Sequence, residues 1–353
     1  MKSEDNYILE DQQEKQKNDK SIEQAFKQYE NNCGINPSRI SMYYKSNCIT
    51  DNGIEIMKKH IQQNDKLILL ILDFEENKIT QAGLKILLQL PKYLKNLNKY
   101  FLSLKSNKFE FGQLNSNQDQ KNQLNFDSKT NLQTLSLDFS QNRLDTKSII
   151  YIGQLTKSSP YLKDITLNIE DTDFLKQKCD VFQNKIFFPQ QLEKIDLIFG
   201  LNSITWHGIQ SVCNPIKTCK GLKSIHIDLH HNKIGDDGIQ YLLSCLRQLE
   251  NLSHFKINLE NNMITNRGAN LIGMLIEEKN SIQNFDIILR NNYIDYNGAK
   301  ILCKSIKQNK KIRFIQLNLS DFNISKKEKI QLSTLISKSQ RLIQTPRVFL
   351  QYI

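Results

Sequence analysis

Long hydrophobic runs are what this sequence of 353 residues most lacks. The longest, Leu67 to Leu72, is six residues, far short of the roughly 20 that span a bilayer. The opening stretch, MKSEDNYILEDQQEKQK, is acidic and Gln-rich with no apolar core, so no secretory signal is expected there. Thirteen glycines and six prolines are too few for a linker or a collagen-like chain. Seven cysteines form an odd set without framework spacing. Without a signal they read as reduced thiols, and the expected location is intracellular and cytoplasmic, not secreted.

Catalytic signatures are missing too. There is no G-x-G-x-x-G, Walker A, HExxH or CxxC, and no kinase DFG; Asp138-Phe139-Ser140 falls in a strand by register. The densest set of metal-type ligands is Cys213, Cys219, His226, His230, His231 and Cys245. Register argues against it. His226 and His230 share a strand face but lie about 13 Å apart at 3.3 Å per residue. Cys213 and Cys303 occupy a helical core position. No catalytic residue, metal ligand or cofactor is therefore expected, and the chain reads as a non-enzyme.

What the sequence does have is a repeat. The segments LEKIDLIFGLNSITWHG from Leu192, LKSIHIDLHHNKIGDDG from Leu222, LSHFKINLENNMITNRG from Leu252 and IQNFDIILRNNYIDYNG from Ile282 each begin 30 residues after the last. The same frame fits from Leu67, Leu97, Leu132, Leu162 and Ile312, and a degenerate copy centres on Ile40, Met42, Tyr44 and Asn47. That makes ten copies. Apolar residues at repeat positions 4, 6 and 8 alternate as in a half-buried strand. Asn follows at position 11: Asn47, Asn77, Asn107, Asn142, Asn202, Asn232, Asn262 and Asn292. A side-chain amide carries donors and an acceptor, so a stack of Asn can satisfy the turn backbone. Thr265, Asp295 and Ser325 at position 14 suit helix N-caps, and Ser325 to Glu328 reads as a capping box. Gly recurs at position 17, and apolar residues return with helical spacing at positions 18, 21 and 25.

Each repeat is thus strand, Asn turn, helix. A single repeat cannot bury its own face, so neighbours must stack. The expected fold is an α/β solenoid with parallel strands on a concave face and helices on a convex one. At about 4.8 Å per strand, ten strands span roughly 45 Å.

The pattern resembles leucine-rich repeats of the ribonuclease-inhibitor type, lengthened to L-x-x-φ-x-φ-x-φ-x-x-N-x-I, where φ is apolar. With the Gln- and Asn-rich composition it looks like the repeat proteins of ciliates. The resemblance covers about residues 37–340 and is specific for fold. It implies a horseshoe-shaped scaffold for protein–protein interaction; some relatives carry a kinase domain elsewhere.

By this reading residues 1–36 are a polar tail with a capping helix at 21–30, residues 37–340 the solenoid, and 341–353 a C-terminal cap, in which RVFLQYI either adds a last strand or covers the open edge. The polar tail takes in residues 1–20. A polar insertion lies near 113–130. Two repeats are irregular, with Thr172 and Phe322 at the Asn position.

Positions 5, 7 and 9 then face the groove. The candidate partner-binding residues are Phe101, Asp138, Asp196, Ile198, His226, Asp228, His230, Lys256, Glu260, Asp286, Ile288 and Arg290. Tyr43, Lys45, Ile71, Asp73, Glu75, Lys105 and Glu170 share the same positions. The formal charge is +11, yet the groove is acidic. The bases gather at the C-terminal end in Lys304, Lys307, Lys310, Lys311, Arg313, Lys326, Lys327 and Lys329. A protein partner is expected, with nucleic acid and membrane insertion not. The competing expectations are a structural subunit of a ciliary or axonemal complex, a regulator of a GTPase or nuclease, and RNA binding through the basic end.

Overall fold

The computed structural model describes residues 7–9, 18–33, 37–107, 109, 129–172, 179–319, 324–337 and 347–349. The insertion at 113–130, apart from its last two residues, and Phe322 lie outside them, as does most of 341–353. The chain forms two compact units, one of Met1–Phe174 with Asn184–Pro189, the other of Leu175–Gln183 with Gln190–Ile353.

The first unit holds parallel strands β1 (Tyr7–Leu9), β2 (Arg39–Tyr43), β3 (Leu69–Asp73), β4 (Lys99–Ser103), β5 (Thr134–Asp138) and β6 (Asp164–Asn168), side by side in chain order. Its helices are α1 (Asp19–Cys33), α2 (Asp51–Ile61), α3 (Gln81–Gln89), which runs into a 3-10 turn, and α4 (Thr146–Lys157). A short helix, α5 (Cys179–Lys185), falls where the residues of the two units interleave. The second unit repeats the plan with β7 (Lys194–Ile198), β8 (Ser224–Asp228), β9 (His254–Asn258), β10 (Asn284–Ile288), β11 (Phe314–Asn318) and β12 (Arg347–Phe349). Its helices are α6 (Trp206–Ile216), α7 (Gly235–Arg247), α8 (Asn266–Glu278), α9 (Tyr296–Gln308) and α10 (Lys326–Ser337). Each unit is an α/β solenoid of the leucine-rich-repeat type.

Register follows the repeat. Ile195, Ile225, Phe255, Phe285 and Ile315 are successive partners across β7 to β11, as are Leu197, Ile227, Ile257, Ile287 and Leu317. All ten are at most 3% exposed. Full burial of each such side chain is worth about 1.5–3 kcal/mol. Ile239, Leu242 and Leu246 of α7 close the same core from the helix side.

The buried Asn residues bridge repeats. Asn232 Oδ1 accepts from the backbone N–H of Asn202 (3.1 Å) and Ile204 (2.8 Å). Its Nδ2 donates to the carbonyls of Phe199 (3.0 Å) and Leu229 (2.9 Å). Asn77, Asn107 and Asn292 bridge to the preceding turn in the same way, and Asn142 donates back to Leu104 O. Asn47 and Asn202 each give their backbone N–H to the Asn of the next turn. At Asn262 the side-chain oxygen finds no donor. The preceding turn departs there through Gly235 (φ +61°), whose N–H donates instead to the Asn262 backbone carbonyl (3.0 Å). Thr172 Oγ1 donates to Ile169 O at 2.9 Å, within its own repeat.

A second tie runs along the helix starts. Asp236 accepts from Thr265 N (2.9 Å), Thr265 Oγ1 (2.5 Å) and Gly268 N (3.0 Å) of the next repeat. Asp51 treats Thr80 and Gly83 alike. Asp19 does so for Thr50, and Asn266 Oδ1 accepts from Asp295 N. This explains the recurrent glycine. A Cβ on Gly53, Gly83, Gly268 or Gly298 would strike the carboxylate or amide oxygen of the repeat before it, and an Ile methyl of its own turn. Where Trp206 occupies the acid's position, the next repeat has Gly235 in place of Thr.

Position 10 is left-handed in nine turns, from Ser46 to Asn291, with φ between 52° and 58°, and none of the nine is glycine. Left-handed backbone costs a non-glycine residue roughly 1–2 kcal/mol, Asn and Asp excepted. Several of these side chains hydrogen-bond along the stack: Ser46 to Glu76 and Ser106 to Gln141, both at 2.6 Å. Leu201 is 43% exposed. Leu201→Asn is therefore expected to raise the unfolding free energy by about 1 kcal/mol, measured by urea titration. No gain would mean that the Leu side chain packs usefully.

Two features depart from the sequence reading. Residues 1–20 were expected as polar tail, yet Tyr7–Leu9 pair in parallel with Ile40–Met42. Three strand residues in an acidic, Gln-rich stretch leave no period to detect. The helix behind them also behaves as a repeat helix: Ile22 and Phe26 are 0% and 4% exposed, and Phe26 stacks on His60 at 4.7 Å. At the other end β12 pairs with β11, so of the two alternatives for the terminal segment the added strand is the one found.

Candidate functional site: the strand faces

Side chains at positions 5, 7 and 9 stand on the strand faces, nearly all of them half-exposed. In the first unit, position 5 reads Ser41, Ile71, Phe101, Ser136 and Thr166 across β2 to β6. Ile71 and Phe101 are direct cross-strand partners. Tyr43, on the adjoining row, is 40% exposed. In the second unit, position 5 reads Asp196, His226, Lys256, Asp286 and Gln316, and position 7 reads Ile198, Asp228, Asn258, Ile288 and Asn318. Position 9 adds Gly200, His230, Glu260 and Arg290.

The carboxylates divide into two kinds. Those at position 7 close a turn. Asp73, Asp138 and Asp228 each accept the backbone N–H two residues on, at 2.9–3.1 Å. Asn168 and Asn258 do the same, and each donates to the aspartate one strand before: Asn168 to Asp138 at 3.0 Å, Asn258 to Asp228 at 3.2 Å. Sequence reasoning took Asp138 and Asp228 as groove charges. Their distinguishing mark was available: an Asx residue two before a tight turn. Position 9 holds acids that face outward. Glu75 lies 3.0 Å from Lys45 Nζ, and Glu260 lies 4.0 Å from Arg290 Nε.

Asp286, like Asp196 in the same row, has its Oδ1 buried without a hydrogen-bond partner. Burial pushes its carboxyl above the ordinary aspartate range, against the pull of Lys256 and His226. A raised acid pKa makes the folded chain lose stability as pH rises from the ordinary aspartate range through the folded value. Asp286→Asn should therefore stabilise the protein at neutral pH, with the difference vanishing in acid. Equal urea midpoints at pH 7 would show that Oδ1 is solvated.

The basic set does not gather in one place. Lys304 and Lys307 lie in the second half of α9, and Lys310, Lys311 and Arg313 lie on the approach to β11. Lys326, Lys327 and Lys329 open α10, which follows the far end of β11. The first five are exposed. Burial pushes the thiols of Cys219 and Cys303 up to about 12, which keeps these two protonated at neutral pH. Among the described residues no cluster of three or more His, Cys, Asp or Glu is arranged to hold a metal ion, and no helix is long and apolar enough to cross a membrane.

No protein-family model matches the chain, and no curated protein matches it in sequence. Among solved structures it is similar to a chain in the crystal structure of the Rad7 and Elc1 complex in yeast, at 13% identity over 90% of this chain and 74% of that one, with a TM-score of 0.46. It is also similar to a protein of Bacteroides fragilis, at 13% identity over 72% of this chain and 66% of that one, with a TM-score of 0.39.

Proposed function

We propose that the chain is a non-enzymatic scaffold that binds a protein partner on its strand faces, as the longer ribonuclease-inhibitor-like repeats suggest. The observation that carries this is the half-exposed pair Ile71 and Phe101, side by side on β3 and β4. Solvent-facing apolar side chains framed by charge are what recognition surfaces present. Tyr43 extends the pair, and Ile198 and Ile288 stand in comparable surroundings on the second unit. The bases of α9 and the approach to β11 supply a secondary electrostatic contact in this scheme.

The test is affinity capture from native cells, with a matching proximity label. The baits are the full chain, Ile71→Ser with Phe101→Ala, and a charge swap of Lys304, Lys307, Lys310, Lys311 and Arg313 to Glu. A partner lost only with the apolar pair supports strand-face recognition. A partner kept by that variant and lost with the charge swap would make the solenoid a spacer and move docking to the basic residues. Asp228 is a poor site for a charge-reversal probe, since Asp228→Lys would also open its turn.

A further inference from the structure

Where the repeats of the first unit return from helix to strand, their loops are tied turn to turn into one edge. Asn96 Nδ2 donates to Asp65 O at 2.6 Å, and Asn131 Nδ2 to Lys95 O at 2.7 Å. The backbone does the same: Asn98 N donates to Ile68 O, Gln133 N to Asn98 O and Lys163 N to Gln133 O, at 2.8–2.9 Å. At about 4.8 Å per repeat, five such turns make a firm line roughly 20 Å long. The edge comprises residues 62–69, 90–99, 129–134, 157–164 and 185–189. These carry eight lysines against Asp65 and Asp164, with no arginine or histidine. All eight but Lys92 are exposed, and none makes an ion pair among the described residues.

Apolar side chains stand among these lysines. Ile68, Tyr93, Tyr161 and Phe187 are 44%, 41%, 54% and 47% exposed. Lys92 Nζ lies 4.8 Å from the centre of the Tyr93 ring, and Lys157 Nζ 5.6 Å from that of Phe187. Apolar groups exposed together and rimmed by charge mark a docking surface. The corresponding edge of the second unit, residues 216–224, 247–254, 279–284 and 309–314, is the contrast. Several of its bases are already engaged: Lys223 with Glu193 at 2.6 Å, Arg247 with Glu278 at 2.7 Å, and Lys279 Nζ with Leu249 O at 2.9 Å. No large apolar side chain is exposed there. Solubility alone would ask for the lysines of the first edge and not for its rings.

We infer that the first unit docks by this edge on an anionic membrane surface. Ile68, Tyr93, Tyr161 and Phe187 enter the headgroup layer, and the lysines meet the acidic lipids. Aromatic rings and lysines are the side chains that suit such an interface, and each lysine near an anionic leaflet adds attraction. The contact is peripheral: the edge lies on the bilayer and nothing crosses it. A single-stranded nucleic acid would ask for open ring faces and free amides. Here the Tyr93 and Phe187 rings each have a lysine over one face, Ile68 gives a base nothing to stack on, and Asn96 and Asn131 are bound to carbonyls.

The test is flotation of the full chain with phosphatidylcholine vesicles, plain or with about one-third phosphatidylserine. Binding is expected to be about tenfold tighter with phosphatidylserine, and to weaken about tenfold in about 0.5 M salt. Lys95→Glu with Lys163→Glu should cost about tenfold. Lys310→Glu with Lys311→Glu on the second unit makes the same change in net charge and should leave binding within about twofold. Tyr161→Ser with Phe187→Ser should weaken it about fivefold with charge unaltered. With no variant at all, vesicles should slow amide hydrogen exchange at 62–69, 90–99 and 157–164. Equal binding to both vesicle types, equal losses from the two charge pairs, no loss with the aromatic pair, or unchanged exchange along the edge each overturns the inference. So does a single-stranded uridine oligonucleotide that displaces the chain from the vesicles, which would make the edge a nucleic-acid surface. Ile71→Ser with Phe101→Ala should bind vesicles like the parent, so this inference and strand-face recognition fail separately.

Discussion

Asn232→Ala will lower the unfolding free energy by about 1–3 kcal/mol, the usual cost of leaving buried polar groups unpaired. Asn262→Ala will sit at the low end of that range. The contrast is the informative part. Both side chains are almost fully buried, at 5% and 0% exposure, so a loss set by burial alone would rank Asn262 first. Partners rank them the other way. Asn232 accepts two backbone N–H groups of the preceding turn and donates to two carbonyls. Asn262 only donates, to Leu229 O at 2.8 Å and Glu260 O at 3.0 Å. Urea titration by circular dichroism measures both. If Asn262→Ala proves the more costly, the turn amides matter for packing rather than for hydrogen bonds.

Gly268→Ala is the second large effect, expected to cost about 1–3 kcal/mol through overpacking. The added methyl would lie about 2.5 Å from Asp236 Oδ1 and from Ile264 Cγ2. The Gly268 N–H to Asp236 bond would strain with it. The cause can be separated by a double-mutant cycle. Asp236→Ala is itself destabilising, since it removes the acceptor of three hydrogen bonds. In that background Gly268→Ala should cost clearly less, giving a coupling of about 1 kcal/mol between residues in contact. Strict additivity would put the whole clash on Ile264 and remove Asp236 from the explanation of the recurrent glycine.

The repeat plan could be read in advance because it is written in a period. Ile225, Ile227 and Leu229 announce a strand and its buried side, and Ile239, Leu242 and Leu246 a helix. What could not be read depends on the neighbouring repeat. Gly268 is legible as a glycine, but its reason is Asp236, 32 residues away. The left-handed residue at position 10 was hidden because its occupants are mixed: Asp171, Asn261 and Asn291 are turn formers, while Glu76 and Leu201 are not. Strand β1 was hidden because three residues carry no period. On the strand faces, alternation picks out which residues point outward, but not which acids are already engaged. Asp228 and Asp286 look alike in the sequence; one closes a turn and the other has an oxygen with no donor.

The two inter-repeat ties run in opposite directions along the chain. The side chains of Asn77, Asn107, Asn142, Asn232, Asn262 and Asn292 reach back to the repeat before, while those of Asp19, Asp51 and Asp236 at helix starts reach forward to the repeat after. During synthesis a newly emerged helix therefore finds its cap acceptor already in place, whereas the newest turn stays open until the following Asn leaves the ribosome. Growth from the N-terminal end is thus provisioned for helices and in arrears for turns. A chain cut between repeats inherits unequal wounds: the piece that loses its N-terminal neighbour is left with an uncapped helix, and the piece that loses its C-terminal neighbour with an unfilled turn.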